Sequence, residues 1–270
     1  MLLASLETIS SPTDPHGRGT EFCMADAISP ETSRRSFSKA LATILIGPQL
    51  FAKGATGMTM DAVRLVGAPD SKIVRQAQDF AREASEPYLF NHVMRSWLFA
   101  AVLAKSAKAP PDPELLAMAT LLHDLGLTER HATDTDRFEV DGANAARNFL
   151  QSHHLVGSDL QLVWDAIALH STRSIALHKE PVVAFCHHGV QVDISGLQFD
   201  QIDLAIRQQI LHEYPRLSLK SQLTNCLCAV VRRKPATTYD NFMRDFGERY
   251  VSGYQARSSV DRLDAAPFES

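Results

Sequence analysis

An adjacent histidine and aspartate, His123 and Asp124, stand at the end of an apolar run and just before Gly126. The run predicts a core helix, and the glycine permits the chain to turn away directly after it. A buried imidazole and a buried carboxylate are costly unless something compensates them, and a bound cation does so by taking both as ligands. The pair therefore predicts a metal site at the buried end of a helix.

Two more polar residues, His92 and Asp193, lie in apolar segments that also predict helices. Asp193 follows Val182, Cys186 and Gly189 at spacings of 4, 3 and 4, so a continuous helix turns it inward with them. A single histidine on an apolar helix is more often a satisfied core residue than a ligand. In combination with the adjacent pair, however, His92 and Asp193 are expected to complete a set of metal ligands.

Three further histidines, His170, His187 and His188, are candidates for binding a second metal ion. At about 100° per residue, His187 and His188 each fall more than about 100° around a continuous helix from Asp193. This geometry favours one metal ion over two. His170 ends its own predicted helix, where it either serves the substrate and proton transfer or only interacts with the helix dipole.

The elements that must position these residues are helices. From Ser71 onward the apolar residues recur with helical spacing almost throughout, and the sequence has no strand-like alternation of any length. We therefore predict an all-α fold. The polar loop from Gly126 to Arg137 follows the His-Asp pair and is a candidate rim of the site. The predicted helices span about 71–86, 88–108, 112–124, 140–153, 158–170, 181–194, 199–213, 218–232 and 239–255.

The composition favours a small-molecule site within one main domain. The chain has 270 residues, 45% of them hydrophobic, and a formal charge of −4. It has no dense stripe of lysine and arginine, which argues against nucleic acid as the main partner. We expect a small-molecule substrate and no stable membrane insertion, and homo-oligomerisation stays open.

The first part of the chain predicts a leader rather than packed structure. Residues 1 to about 30 are rich in Ser, Thr, Pro, Gly and charge. Arg34-Arg35, with Phe37, Lys39 and a short apolar stretch, resembles a twin-arginine export signal, which predicts a periplasmic protein. A surface helix that begins with two arginines is the alternative, and the protein is then cytoplasmic. We divide the chain into a leader (1–56), a main domain (57–258) and a flexible tail (259–270).

The ordered set His92, His123-Asp124 and Asp193 resembles the signature of the HD-domain superfamily of metal-dependent hydrolases. Any one of these residues alone is uninformative, and it is the ordered set that carries the resemblance. The resemblance implies an HD-domain helical bundle in which these four residues bind one divalent metal ion at the centre.

Further motifs narrow the resemblance to the cyanamide hydratase group, over residues from about 86 to 254. They are Asn91-His92 with Arg95, and the segments 123–128, 138–143, 164–170 and 234–242. The group implies a lyase that contains zinc, with Fe²⁺ or Mn²⁺ as alternatives. Such an enzyme adds water to the nitrile of cyanamide, forming urea, or acts on a related substrate.

Three residues are candidates for the catalytic steps of that reaction. A zinc ion lowers the pKa of bound water toward neutrality, and Asp124 is expected to orient this water besides binding the metal. Glu139 is a candidate for supporting the site or shuttling protons. The alternative is that this carboxylate lies at the start of a helix and only stabilises the helix dipole. His170 is the third candidate.

Three other residues are candidates for binding the substrate. Arg95 lies one helical turn after His92, where it is expected to hold an anionic or polar group, and a structural salt bridge is its alternative. Asn91 and Thr128 lie in the same motifs as the histidine ligands and are assigned the same role.

Two other functions remain open. A metal-dependent phosphohydrolase, acting on a nucleotide or another phosphomonoester, is the common activity of the wider superfamily. It requires more positive charge around the metal, and the motifs contain arginines but no Gly-rich phosphate cradle. A non-catalytic binding protein that kept the fold is disfavoured by the intact ligand set.

Overall fold

The structure is a computed structural model that describes residues 61–269. The segment that resembles a twin-arginine signal lies outside the described residues, so export to the periplasm stays a prediction. Among residues 61–269, no helix has the length and apolar character needed to cross a membrane.

The described residues form an all-α fold without a β-strand, which confirms the predicted fold class. Three short 3₁₀ helices lie in the connections between α-helices of the described residues, at Leu125–Leu127, Phe199–Gln201 and Pro235–Thr238. The α-helices are α1 (Ala62–Val66), α2 (Lys72–Ala84), α3 (Pro87–Ala104), α4 (Pro113–Leu122), α5 (Phe138–Ser152), α6 (Gly157–Leu169), α7 (Arg173–Ala176), α8 (Pro181–Ser195), α9 (Leu204–Glu213), α10 (Leu219–Arg233), α11 (Met243–Tyr250) and α12 (Ser259–Asp264).

Helix caps explain where the predicted boundaries hold and where they shift. The Ser71 side chain accepts a hydrogen bond from the Val74 amide and begins α2 as predicted. The helix predicted over 199–213 is instead a 3₁₀ turn followed by α9, because the Asp203 carboxylate accepts from two backbone amides and starts a new helix there. The expected flexible tail contains α12, and every residue of this helix is exposed.

Helix α3 is the centre of the core and is buried on almost every face. Its side chains Trp97, Leu98 and Phe99 are fully buried, and each stabilises the fold by about 1.5–3 kcal/mol relative to an exposed position. Helix α3 packs against α8, α4, α1 and α10. A helix surrounded in this way fixes the position of any polar side chain that it carries.

Two glycines allow the close approaches that assemble the site. A Cβ atom on Gly189 of α8 would lie 2.2 Å from the Ser96 carbonyl oxygen, so only glycine lets α8 pack this closely on α3. A Cβ atom on Gly126 would lie 1.9 Å from the Phe138 carbonyl oxygen, so glycine also lets the turn after Asp124 pack beneath α5. These contacts bring α8 against α3, and the turn after Asp124 against α5.

Candidate metal centre

Three ligand atoms converge where the end of α4 meets α3. They are the Nε2 atoms of His92 and His123 and the Oδ2 atom of Asp124, and all three residues are buried. The nitrogens lie 3.3 Å apart, and they lie 3.5 and 3.2 Å from Asp124 Oδ2 respectively. Metal bonds of about 2.0–2.1 Å in a tetrahedron separate ligand atoms by roughly 3.3 Å, so the triangle fits a single small divalent ion.

The hydrogen bonds at the Nδ1 atoms of His92 and His123 support a single-metal site. His92 Nδ1 donates to Asp193 Oδ2 at 2.7 Å, and His123 Nδ1 donates to the Thr120 carbonyl oxygen at 2.8 Å. When Nδ1 carries the proton of a neutral imidazole, Nε2 presents a lone pair. Two buried lone pairs then face each other and a carboxylate, and a cation is the group that relieves such an arrangement.

Charge interactions within the triangle shift the pKa values in opposite directions. Burial alone raises the pKa of Asp124, but the neighbouring His123 imidazole outweighs it and holds that pKa well below its ordinary value. Burial likewise lowers the pKa of His123, and the Asp124 carboxylate outweighs it and raises that pKa. Each of the two groups therefore favours the charged form of the other.

His170 is brought to the same place. Its Nδ1 donates to the Ile167 carbonyl oxygen at 2.7 Å, and its Nε2 lies 3.8 Å from Asp124 Oδ1. Burial, together with the nearby charge of His123, lowers the pKa of His170 to about 4. Near neutral pH this imidazole is a base whose lone pair points toward Asp124.

Asp193 lies on the opposite side of the His92 ring from Asp124. Its Oδ2 accepts from His92 Nδ1, and Arg95 donates to both oxygens, from Nε at 2.7 Å and from Nη2 at 2.9 Å. Burial raises the pKa of Asp193, but the hydrogen bonds from His92 and Arg95 outweigh it and lower that pKa below its ordinary range. The structure thus places the predicted fourth ligand behind His92, where it orients the ring, and does not bring it into the triangle.

The three residues assigned to substrate binding hold the framework instead of lining the cavity. Arg95 is fully buried, and its remaining Nη1 donates to the carbonyl oxygens of Tyr214 and Pro215. Asn91 also donates to the Pro215 carbonyl oxygen, at 2.9 Å. Thr128 donates its hydroxyl to the Leu125 carbonyl oxygen at 2.6 Å. The structural salt bridge considered for Arg95 is the arrangement that the structure contains.

Glu139 is buried close to His170, and its carboxylate is already hydrogen-bonded to other residues. Its Oε1 accepts from Arg137 Nη2 at 2.8 Å and from the Ser171 hydroxyl at 2.6 Å. Burial raises the pKa of Glu139, and the hydrogen bond from Arg137 outweighs it and lowers that pKa. A carboxylate held in its ionised form fits support of the site better than delivery of a proton.

The cavity next to the triangle has a volume of 280 Å³ and two contrasting parts. Its lining includes the polar residues of the triangle and His170, and none of the lining residues in the described chain is a lysine or an arginine. The polar lining comprises His92, His123, Asp124, His170, Ser171 and Gln191, and the apolar lining comprises Leu127, Phe138, Val190, Ile194, Leu223, Leu227, Phe242 and Phe246.

The two histidines of α8 lie away from this cavity, as the helix angles predict. Helix α8 continues through Gly189 without a break, and His187 donates from Nδ1 to the His170 carbonyl oxygen at 2.6 Å. Neither His187 nor His188 is among the cavity's lining residues. His187 instead supports the backbone that carries His170.

Arg216 is a contributor that sequence reasoning missed. Its Nη1 donates to Asp193 Oδ1 at 2.9 Å and to the Asp193 carbonyl oxygen at 3.0 Å. The residue lies in an irregular segment after α9, where Leu217 and Ser218 have positive φ angles of 47° and 58°. No helical spacing links such a segment to α8, so the sequence carried no signal for this contact.

Comparison with protein-family models matches residues 89–211 to the HD domain. The matched range contains the triangle, Asp193 and His170. A comparison with curated proteins found no match. HD domains bind divalent metal ions and perform metal-dependent hydrolase-type chemistry, which agrees with the donor set at the end of α3.

Proposed function

We propose that the protein, whose residues 89–211 match the HD domain, uses one divalent metal ion, with zinc as first choice, to add water to a small nitrile. His92, His123 and Asp124 would hold the ion, and cyanamide or a related nitrile would be the substrate. The enzyme would then be a cyanamide hydratase-like lyase. The support comes from the geometry of the triangle and from the lining of the cavity beside it.

The reaction requires a nucleophile and the movement of protons. Water adds to the nitrile carbon, one π bond of the carbon–nitrogen bond breaks, and the nitrogen gains protons to give an amide. The metal ion would supply Lewis acidity, which lowers the pKa of water so that hydroxide is available near neutral pH. The protein must therefore orient the water and carry a proton to the nitrogen.

Asp124 and His170 are placed for these tasks. Asp124 Oδ2 belongs to the triangle, which leaves Oδ1 to accept a hydrogen bond from the attacking water. The Nε2 of His170, 3.8 Å from that oxygen, has the lone pair needed to take a proton and pass it to the developing imidate nitrogen. The final shift of a proton from oxygen to nitrogen produces the amide.

The cation-free lining of the cavity is the observation that carries the choice of a nitrile. A phosphomonoester dianion placed there would lose its hydration without gaining arginine or lysine partners, and that desolvation is unfavourable. A nitrile is neutral and linear and matches an apolar wall that ends in three imidazoles and a carboxylate. The volume of 280 Å³ suits a small substrate and leaves room beyond cyanamide itself.

A substrate panel on the metal-loaded protein tests this proposal. Purified protein is expected to contain about one metal ion per chain and to release urea from cyanamide. His123→Ala should abolish both, whereas His188→Ala, a matched histidine outside the cavity, should leave both unchanged. If the protein acts only on phosphomonoesters or nucleotides, its function is that of a phosphohydrolase and not nitrile hydration. Two metal ions per chain would refute the single-ion site.

A further inference from the structure

A second chamber lies beside the metal cavity, and we call it the outer chamber. It has a volume of 580 Å³, and Ser171 and Phe242 belong to the walls of both spaces. Ser171 directly follows His170, whose Nε2 lies 3.8 Å from Asp124 Oδ1. The two spaces therefore share part of their walls next to the group assigned to proton transfer.

The outer chamber differs from the metal cavity in its charge. Its wall carries Arg137 and Arg173, against one carboxylate from Asp240. Arg137 is already paired with the buried Glu139, so Arg173 is the guanidinium of this wall that has no carboxylate bound to it within residues 61–269. The hydroxyl side chains of Ser171, Thr172 and Ser174 line the same wall. Guanidinium groups and hydroxyls together are the donors that bind a small anion.

One side of this wall is fixed before any ligand arrives. Arg137 donates to both oxygens of Glu139, from Nη2 at 2.8 Å and from Nε at 3.4 Å, and Ser171 donates to Glu139 Oε1 at 2.6 Å. Glu139 is fully buried, so it fixes the position of the Arg137 guanidinium, and it accepts the single proton of the Ser171 hydroxyl. Donors that are already positioned bind an anion without a large ordering cost.

Arg173, unlike Arg137, carries a guanidinium charge that is available to a ligand. Its side chain is exposed, and within residues 61–269 it makes no hydrogen bond or ion pair. A guanidinium at the wall of a concave chamber, without a carboxylate partner of its own, can form a bidentate pair with an anionic ligand. A single guanidinium without a carboxylate partner matches a monoanion better than the dianion of a phosphomonoester.

We propose that the outer chamber binds the carboxylate of a substrate whose nitrile enters the metal cavity. The preferred substrate is then a short cyano-carboxylic acid, which explains why the metal cavity is wider than cyanamide requires. Arg173 is the residue that selects the carboxylate, and Arg137, held by Glu139, forms a fixed part of the same wall. This inference rests on the proposed nitrile hydration and names the substrate class for it.

A matched pair of nitriles tests the inference in the metal-loaded protein. 3-Cyanopropanoate and butyronitrile have similar size, and only the first carries a carboxylate. Wild-type protein should hydrate 3-cyanopropanoate with a kcat/KM about tenfold higher, the effect of one charge-assisted contact. Arg173→Ala should remove that preference by lowering kcat/KM for 3-cyanopropanoate to about the value for butyronitrile. Arg75→Ala, which removes an exposed arginine that lines none of these spaces, should retain the preference. Equal kcat/KM values for the two nitriles in wild-type protein would overturn the inference.

Binding of butyrate separates this inference from the proposed function, because butyrate has the carboxylate but no nitrile. Titration calorimetry should detect butyrate binding in wild-type protein and Arg75→Ala, and at least tenfold weaker binding in Arg173→Ala. If neither nitrile is hydrated while butyrate binding depends on Arg173, nitrile hydration fails and the anion site stands. If both nitriles are hydrated equally and butyrate binds without regard to Arg173, nitrile hydration stands and the outer chamber has no such role.

Discussion

Two buried aspartates lie against opposite edges of the same imidazole, and their surroundings differ. Asp124 Oδ2 lies 3.5 Å from His92 Nε2, and its other neighbours are the imidazoles of His123 and His170. Asp193 Oδ2 lies 2.7 Å from His92 Nδ1, and it is also paired with Arg95 and Arg216. One carboxylate faces groups that carry no permanent charge, and the other faces two guanidiniums.

This difference indicates which carboxylate still needs a cation. The charge of Asp193 is already compensated, so this residue can serve as a permanent acceptor that fixes the His92 tautomer and the orientation of its ring. The charge of Asp124 is compensated only when an imidazole is protonated or a metal ion is bound. The ring of His92 therefore connects a structural ion pair to a metal-binding face.

Asp124→Asn is expected to have the largest effect on function. It removes the only carboxylate of the triangle, so metal binding should be lost and activity should fall by roughly a thousandfold or more. The amide has the same shape and leaves no cation unpaired, so the free energy of unfolding of the metal-free protein should change little. Metal analysis, an activity assay and denaturant unfolding measure the three quantities. If metal-free Asp124→Asn unfolds as readily as Asp193→Asn, the contrast between the two aspartates is refuted.

Asp193→Asn is expected to have the largest effect on stability. It leaves Arg95 as a buried cation without its carboxylate, which should lower the free energy of unfolding by about 3–5 kcal/mol. Metal affinity should fall about 10–100-fold because His92 loses the acceptor that orients it. Chelator competition on protein that remains folded measures the affinity. Complete loss of metal with unchanged stability would instead identify Asp193 as a direct ligand.

The ion pair between Asp141 and Lys234 provides a matched control for that variant. Lys234 donates to Asp141 Oδ2 and to the Asp136 carbonyl oxygen, both at 2.6 Å, and both side chains of the pair are buried. It joins α5 to the segment after α10 and does not touch the triangle. Asp141→Asn should therefore destabilise the protein by a similar amount while leaving metal affinity unchanged.

The sequence was sufficient to predict which helix faces carry the candidate ligands but not the partners that those ligands meet. Apolar spacing correctly turned His92, His123, Asp124 and Asp193 inward, and the continuity of α8 kept His187 out of the cavity. Spacing contains no information on how closely two helices pack. The approach permitted by Gly189 brings Asp193 to Arg95, a contact between residues 98 positions apart.

The pH dependence of stability provides a further test of the side of His92 on which Asp124 faces the other imidazoles. The pKa of His170 falls to about 4 in the folded protein, from an ordinary value of about 6.5 when unfolded. The unfolded state then binds more protons between these values, so His170 makes the metal-free protein less stable as pH falls from about 6.5 toward 4, by up to about 1.4 kcal/mol per pH unit.

His123 acts in the opposite direction, because its raised pKa favours the folded state at pH values below that pKa. A comparison of His170→Gln with wild type isolates the contribution of His170. Denaturant unfolding at several pH values should show a smaller acid-induced loss of stability in the variant. Identical slopes in the two proteins would show that His170 is not held neutral by its burial.

Arg216→Ala is expected to have the smallest effect and to probe the link between the two sides of His92. Arg216 shares Asp193 with the fully buried Arg95, but its own side chain is 37% exposed, so its loss should lower the free energy of unfolding by only about 1 kcal/mol. Asp193 keeps His92 and Arg95 as partners, so the protein should still bind the metal ion, with an affinity reduced severalfold because the carboxylate is held less firmly behind His92. Arg249→Ala, on the surface of α11, is the matched control for loss of a positive charge. An unchanged metal affinity in Arg216→Ala, at a measurable loss of stability, would show that Arg216 holds the loop after α9 and does not position His92.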